Sequence, residues 1–241
     1  MLDVYEYTNK GGRDYNEDSV GSVIGENNSG IFVVADGLGG HSKGELASAC
    51  VVETLCGQWK GFGENPDETL RELITAANGR VLELQKENNA IIKSTVAVLA
   101  LDNGIPVWGN SGDSRVYFIR DNEMAAYTED HSVAFKKFKG GEITRDMLGT
   151  DEDQSRLLRT LGSKDRFMPD IRFDPGLSVI PGDAFFLCSD GAWEFIKDEE
   201  IVIDYLRSEN ARHWAELMMV RIIDRVKGDN DNISLMTVCV T

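Results

Sequence analysis

The stretch Ile31-Phe32-Val33-Val34-Ala35-Asp36-Gly37-Leu38-Gly39-Gly40-His41 constrains the fold of this chain more than any other segment. Its apolar, β-branched opening predicts a buried strand, and the abrupt change to a carboxylate followed by glycines predicts where that strand stops. Asp36 is therefore expected at a strand end, with Gly37, Gly39 and Gly40 letting the backbone turn tightly beside it. Ser42 and Glu45 have the spacing of a capping box, so a helix should open directly afterwards. Asp-Gly is also ordinary turn chemistry. Whether this turn means more depends on how often the pattern returns.

It returns four times. Asp18 after Arg13, Asp113 in Gly109-Asn110-Ser111-Gly112-Asp113-Ser114-Arg115, Asp190 in Cys188-Ser189-Asp190-Gly191, and Asp231 in Gly228-Asp229-Asn230-Asp231-Asn232 each sit at a turn beside an apolar strand. Gly, Ser or Asn flank every one, residues that permit tight geometry and orient a carboxylate by hydrogen bonding. Asp231 is preferred to Asp229 because Asn232-Ile233-Ser234 follows it straight into the last strand. Carboxylates that converge repel one another unless cations lie between them. With no His or Cys at ligand spacing, an oxygen-only set points to Mg²⁺ or Mn²⁺. Two such ions would bridge a water, lower its pKa and neutralise a phosphoryl group, which makes hydrolysis the expected chemistry.

The remaining elements follow from periodicity. Strands are expected at Asp3 to Thr8, Ser19 to Ile24 and from Ile31, then amphipathic helices over Gly44 to Trp59 and Asp67 to Asn89. A meander follows at Ser94 to Leu101, Ile105 to Gly109, Arg115 to Arg120 and Glu123 to Tyr127, with turns at Asp102-Asn103-Gly104 and Asp121-Asn122. Asp130 to Arg159 is polar and poor in strand signal, the mark of an inserted helical flap. Strands at Pro169 to Phe173 and Ala184 to Cys188, helices at Asp198 to Arg207 and Ala211 to Lys227, and a strand at Asn232 to Val240 complete the chain. No repeat or low-complexity linker divides it. The expected fold is α+β: one domain over residues 1–241, an αββα sandwich of two stacked antiparallel sheets flanked by pairs of helices, with the flap at about 132–158.

Charge narrows the partners. There are 25 basic against 41 acidic residues, a net charge of −16, which argues against nucleic acid. An anionic substrate needs bound cations to reverse that sign locally. No secretory leader and no membrane-length apolar run are evident, and Cys50, Cys56, Cys188 and Cys239 lie in apolar patterns without CxxC spacing. A cytoplasmic protein with reduced core thiols, and no membrane partner, is expected.

Taken in order, Arg13-x-x-Asn16-Glu17-Asp18, Val34-Ala35-Asp36-Gly37-Leu38-Gly39-Gly40-His41, Ser94-Thr95, Gly109-Asn110-x-Gly112-Asp113-Ser114-Arg115, Thr128-x-Asp130-His131-Ser132, Leu161-Gly162, Cys188-Ser189-Asp190-Gly191 and Asp231-Asn232-Ile233-Ser234 resemble the successive motifs of the metal-dependent protein serine/threonine phosphatases of type 2C. The resemblance runs from Arg13 to Ser234, and the Gly141-Glu142-Ile143-Thr144 stretch is similar to bacterial members. It implies a signalling hydrolase that acts on phosphoserine and phosphothreonine in proteins, partnered by a serine/threonine kinase and using two Mn²⁺ or Mg²⁺ ions. Asp36 would bridge both ions, Gly37 would offer its carbonyl, and Asp190 and Asp231 would complete the protein ligands. Asp18 and Glu17 would hold metal-bound waters, and Asp113 matches a position that helps hold a third ion in bacterial members. Arg13 would grip the phosphate, with a metal-bridging hydroxide attacking phosphorus in line.

Two departures stand out. Leu38 occupies the place where eukaryotic members carry a histidine proposed as general acid, so no acid is assigned. Lys136, Lys137 and Lys139 in the flap are read as a solvated helix face, with steering of phosphorylated partners as the alternative. Asp130-His131 is read as a helix cap. The rival functions are a pseudophosphatase that binds phosphoproteins without turnover, and a phosphatase of small phosphate monoesters.

Overall fold

The computed structural model describes residues 1–39, 43–165 and 167–241. Two antiparallel sheets face each other. One has the order β1(Leu2–Asn9), β11(Ile233–Val240), β10(Ala184–Cys188), β7(Arg115–Arg120), β8(Glu123–Tyr127). The other runs β2(Asp18–Ile24), β3(Gly30–Gly39), β5(Val96–Asp102), β6(Ile105–Ser111), β9(Asp170–Phe173), with β4(Ile92–Ser94) paired to the far end of β3.

The alternation of side chains along β3 builds two cores at once. Phe32 and Val34 point between the sheets, where they join Leu99, Trp108, Phe118, Phe185, Leu187 and Val238. Ile31, Val33 and Ala35 point outward beneath α1(Gly44–Gln58) and α2(Pro66–Asn88), packing on Val51, Leu55, Leu70, Ile74 and Val81. Because both faces are covered, the strand is apolar throughout. The other sheet repeats the arrangement. Phe185 and Leu187 face inward, whereas Phe186 and Cys188 pack with Trp214, Met218 and Ile222 under α5(Asp198–Arg207) and α6(Ala211–Arg225). Phe118 and Phe185, paired on adjacent strands of this sheet, stack on its inner face with ring centroids 4.7 Å apart, worth about 0.5–1.5 kcal/mol beyond burial. The result is the four-layered αββα sandwich expected from the order of elements.

Boundaries agree where punctuation is strong. Asp121 and Asn122 both take positive φ in the two-residue β7–β8 turn, and α2 opens on Pro66 and ends at the left-handed Asn89. β3 departs from expectation: it does not end at Asp36 but continues to Gly39, because β4 pairs Ser94 with Gly37 and Ile92 with Gly39. The expected strand from Ser94 is correspondingly broken at Thr95. Ser42 of the expected capping box, with Gly40 and His41, lies outside the described residues. The first amide of α1, from Gly44, is instead received by Glu17 Oε1 at 2.9 Å.

The flap holds α3(Val133–Lys139) and a 3-10 helix, Arg145–Thr150, and a bridge between Ser132 and Leu157 closes its base. Lys136 and Lys139 are exposed, as a solvated helix face requires, with Lys139 paired to Glu129 at the surface, whereas Lys137 turns to Asp151 and Asp153 in a half-buried pair. All four cysteines are unpaired thiols. Among the described residues no helix is long and apolar enough to cross a membrane.

Candidate metal centre

One cleft of about 440 Å³ between the sheet ends is lined by Arg13, Glu17, Asp36, Gly37, Asp113, Asp190 and Asp231. Seven of the eight residues singled out from sequence therefore share one cavity wall. The eighth, Asp18, lies buried behind it and faces Asp36 directly across the β2–β3 ladder. Like charges directly opposite in a sheet are destabilising.

Each carboxylate is held by its own local device. Asp18 accepts a hydrogen bond from Ser189 Oγ at 2.8 Å. Asp36 is fixed through its backbone, its N–H donating to Thr95 Oγ1 at 2.9 Å and its carbonyl accepting from Thr95 N at 2.8 Å. Asp190 opens the short α4(Asp190–Trp193), its Oδ1 accepting from Gly191 N at 2.7 Å. Gly37 must be glycine because a Cβ there would strike the backbone of Gly44 and Glu17.

Asp113 follows Gly112, whose φ of +109° suits glycine. Its carbonyl accepts from Trp193 Nε1 at 2.9 Å, and Gln154 Nε2 from the flap reaches its Oδ2 at 3.4 Å. Its Oδ1 is buried without a hydrogen-bond partner. The turn is braced by Arg115, which forms a buried two-pronged pair with Asp130 at 2.7 and 2.6 Å and lies 3.4 Å over the Trp193 ring. Asp130 therefore holds Arg115 rather than capping a helix. Ser132 caps α3 instead, accepting from Phe135 N, while His131 Nδ1 accepts from Gly112 N at 3.2 Å.

Asn232 organises the Arg13 loop. Its Oδ1 accepts from Glu17 N at 2.8 Å, and its Nδ2 donates to the carbonyls of Lys10 and Tyr15 at 2.8 and 2.9 Å. Arg13 thereby reaches Asp231, with Nη2 donating to Oδ2 at 2.8 Å. Sequence reasoning quoted Asn232 only as a flank of Asp231, and its position directly after that aspartate is the signal that could have marked it.

The electrostatics show the convergence most clearly. Burial, then the charges of Asp18, Asp190, Asp113 and Asp231, hold Asp36 well above the ordinary carboxylate range. Asp190 is raised in the same way, by burial and then by Asp113, Glu194, Asp231 and Asp18. Burial pushes Asp18 up to about 6 and Asp113 up to about 8. Glu194, which the sequence reading missed, is pushed up to about 7 by burial and then by Asp231. It stands one helical turn after Asp190, and that spacing was its only signal.

Among the described residues, no three His, Cys, Asp or Glu groups close around a single point as a complete ligand set. The carboxylates share the lining of the cleft without closing on one point. Hard cations such as Mg²⁺ retain several waters and need only one or two carboxylates each, so a site of this kind does not require a closed protein ligand set. The donors available are oxygens, and the unpartnered Asp113 Oδ1 together with the mutually raised aspartates makes a site that divalent cations would relieve. The residues fit such ions.

A sequence profile of the protein phosphatase 2C family matches residues 10–221. The serine/threonine phosphatase stp of Listeria welshimeri is 29% identical over 235 residues, covering 94% of this chain and 90% of that protein. The PPM Ser-Thr phosphatase MsPP of Mycobacterium smegmatis, solved in complex with cacodylate, superposes with a TM-score of 0.79 at 29% identity, over 99% of this chain and 98% of that one. The catalytic domain of the serine threonine protein phosphatase PstP, solved with two manganese ions, has the same fold, with a TM-score of 0.80 at 24% identity over 100% of this chain and 98% of its own.

Proposed function

We infer that this chain, which belongs to the protein phosphatase 2C family, hydrolyses phosphoserine and phosphothreonine esters of proteins at the carboxylate cleft. It is a metal-dependent protein serine/threonine phosphatase. The observation that carries the assignment to this cleft is the convergence of Asp18, Asp36, Asp113, Asp190 and Asp231, each of which raises or is raised by the others.

Asp36, the Gly37 carbonyl, Asp190 and Asp231 are the residues that would hold two Mn²⁺ or Mg²⁺ ions, with Asp18 and Glu17 contacting them through water and Asp113 offering its free Oδ1 to a third. Such ions supply Lewis acidity, a water acidified for attack on phosphorus, and charge neutralisation of the phosphoryl group. The protein's own part is placement. Arg13, carried on the loop that Asn232 pins, presents a planar fork of donors suited to two phosphate oxygens, and its charge is permanent. Two hydrogen bonds between the Asp36 backbone and Thr95, one to the Thr95 hydroxyl and one from its N–H, keep Asp36 in register, and Gly37 packs closely against the Gly44 backbone. Leu38 beside Asp36 carries no proton to donate, so leaving-group protonation falls to other groups of the cleft.

A phosphatase of proteins implies a serine/threonine kinase that makes its substrates, and a cytoplasmic setting fits the free thiols. Asp36→Asn should abolish turnover of a small aryl phosphate, as should a chelator, while the variant keeps its fold. Undiminished turnover in either case would refute the assignment.

A further inference from the structure

The cleft also has apolar walls that phosphoester chemistry does not use. Tyr15, Leu38 and Leu157 line it together with Arg13, Asp36 and Asp190. Leu38 follows Asp36 by two residues on β3, so strand alternation turns it to the same face as the carboxylate, and its pairing with Lys93 fixes the backbone there. Leu157 comes from the flap, held by its bridge to Ser132. Tyr15 is pinned through its carbonyl by Asn232, yet the residue is 64% exposed. Three apolar groups from three separate segments, each anchored by its backbone, thus line the cleft that a phosphorylated side chain would enter.

The charges lining the cleft sharpen this. Apart from Arg13 they are all carboxylates: Asp14, Glu17, Asp36, Asp113, Asp190 and Asp231. Asp36, Asp113, Asp190 and Asp231 would be offset by the cations they hold, but Asp14 holds none, so an acidic residue beside the phosphorylated one would meet its like charge. An apolar side chain there would instead cover Tyr15, Leu38 and Leu157 and remove that surface from water.

We propose that Tyr15, Leu38 and Leu157 form a subsite for a bulky apolar side chain directly flanking the phosphorylated residue. The enzyme therefore selects phosphoserine and phosphothreonine sites next to residues such as Leu, Met or Phe over those next to Asp or Ser. This rests on the phosphatase reading above. Tyr15 is the specificity-determining residue, since it is the most exposed of the three and is free to be covered by substrate.

The test is a pair of phosphothreonine peptides differing only at the flanking position, Leu against Asp, assayed with the full chain in Mn²⁺. The expected kcat/KM ratio is about tenfold in favour of Leu, the scale of a modest apolar contact. Tyr15→Ser and Leu157→Ser should bring the ratio close to one, with Tyr15→Phe retaining it. Equal rates for the two peptides, a preference for Asp, or a ratio untouched by both serine variants would overturn the subsite while leaving the phosphatase reading standing. If neither peptide is turned over, the phosphatase reading itself fails, and the subsite with it.

Discussion

Arg13 Nη2 stands 2.8 Å from Asp231 Oδ2, an ion pair between residues 218 positions apart that closes one wall of the cleft. Both side chains are more than a third exposed, 57% and 41%, so the pair contributes under about 1 kcal/mol to stability. Its value lies in position: the guanidinium is stored next to a carboxylate that would hold cations, within the cavity a phosphate would enter.

Arg13→Ala should therefore lower kcat/KM for a phosphothreonine peptide by roughly a hundredfold, the scale of losing a charge-assisted phosphate contact, with Tm almost unchanged. Arg13→Lys should recover only part of the loss, because an ammonium lacks the two-pronged fork. Steady-state kinetics and a melting curve on the same samples check both statements.

The raised carboxylates set a pH signature in chelator. Asp113 sits at about 8 in the folded chain against an ordinary 3.8, so the native state binds its proton more tightly than the unfolded state does. Stability must then fall as pH rises through that range. His131, lowered by burial, contributes the opposite slope only below about pH 7. Carboxylates held low by cations, such as Glu200 at about 2 beside Arg225, are fully ionised in this window and add no slope. Between about pH 7 and 8.5 the Tm in chelator should decline, and the increment from added Mn²⁺ should grow, since metal displaces those protons. A Tm in chelator that rises over this interval would show that the aspartates are not coupled as described.

Asp130→Ala should be costly for a different reason. It leaves the Arg115 guanidinium, 2% exposed and stacked on Trp193, without its partner. Breaking a buried pair typically costs about 3–5 kcal/mol, a fall in Tm on the order of 10 °C for a chain of this length. Differential scanning calorimetry reads this directly. Because Trp193 Nε1 also holds the Asp113 carbonyl, activity should fall with stability.

How much of this was legible beforehand differs by element. β7, β8, β10 and α5 match their expected spans residue for residue, because each is bounded by turn residues or a charged first turn that local pattern captures. The five aspartates were legible as well, since a carboxylate flanked by Gly, Ser or Asn beside an apolar strand is a local signal. The extension of β3 past Asp36 was not. It exists only because β4 returns from more than fifty residues away to pair with Gly37 and Gly39. The same holds for Glu17 capping α1, for Asn232 pinning the Arg13 loop, and for Lys137 held by Asp151 and Asp153. Each is a side-chain contact with no periodicity to announce it.

Gly37→Ala separates close approach from ordinary flexibility. The added Cβ would meet the carbonyls of Gly44 and Glu17, so the variant should lose about 1–3 kcal/mol and bind Mn²⁺ more weakly. Gly57→Ala is the control. Nothing lies within 4 Å of a Cβ at that position on α1, and the change should stabilise by about 0.5–1 kcal/mol with Mn²⁺ affinity unchanged. Thermal shifts over a Mn²⁺ series give both quantities.

The most direct test of the central claim is the number of Mn²⁺ ions bound per chain, measured by calorimetric titration of the metal-stripped protein and of Asp36→Asn. Two tightly bound ions in the parent, and loss of both in the variant at a Tm in chelator no lower than the parent's, is the predicted result. Equal stoichiometry and affinity in the two proteins would mean that Asp36 holds no ion, and the cleft would then have no account of its five aspartates.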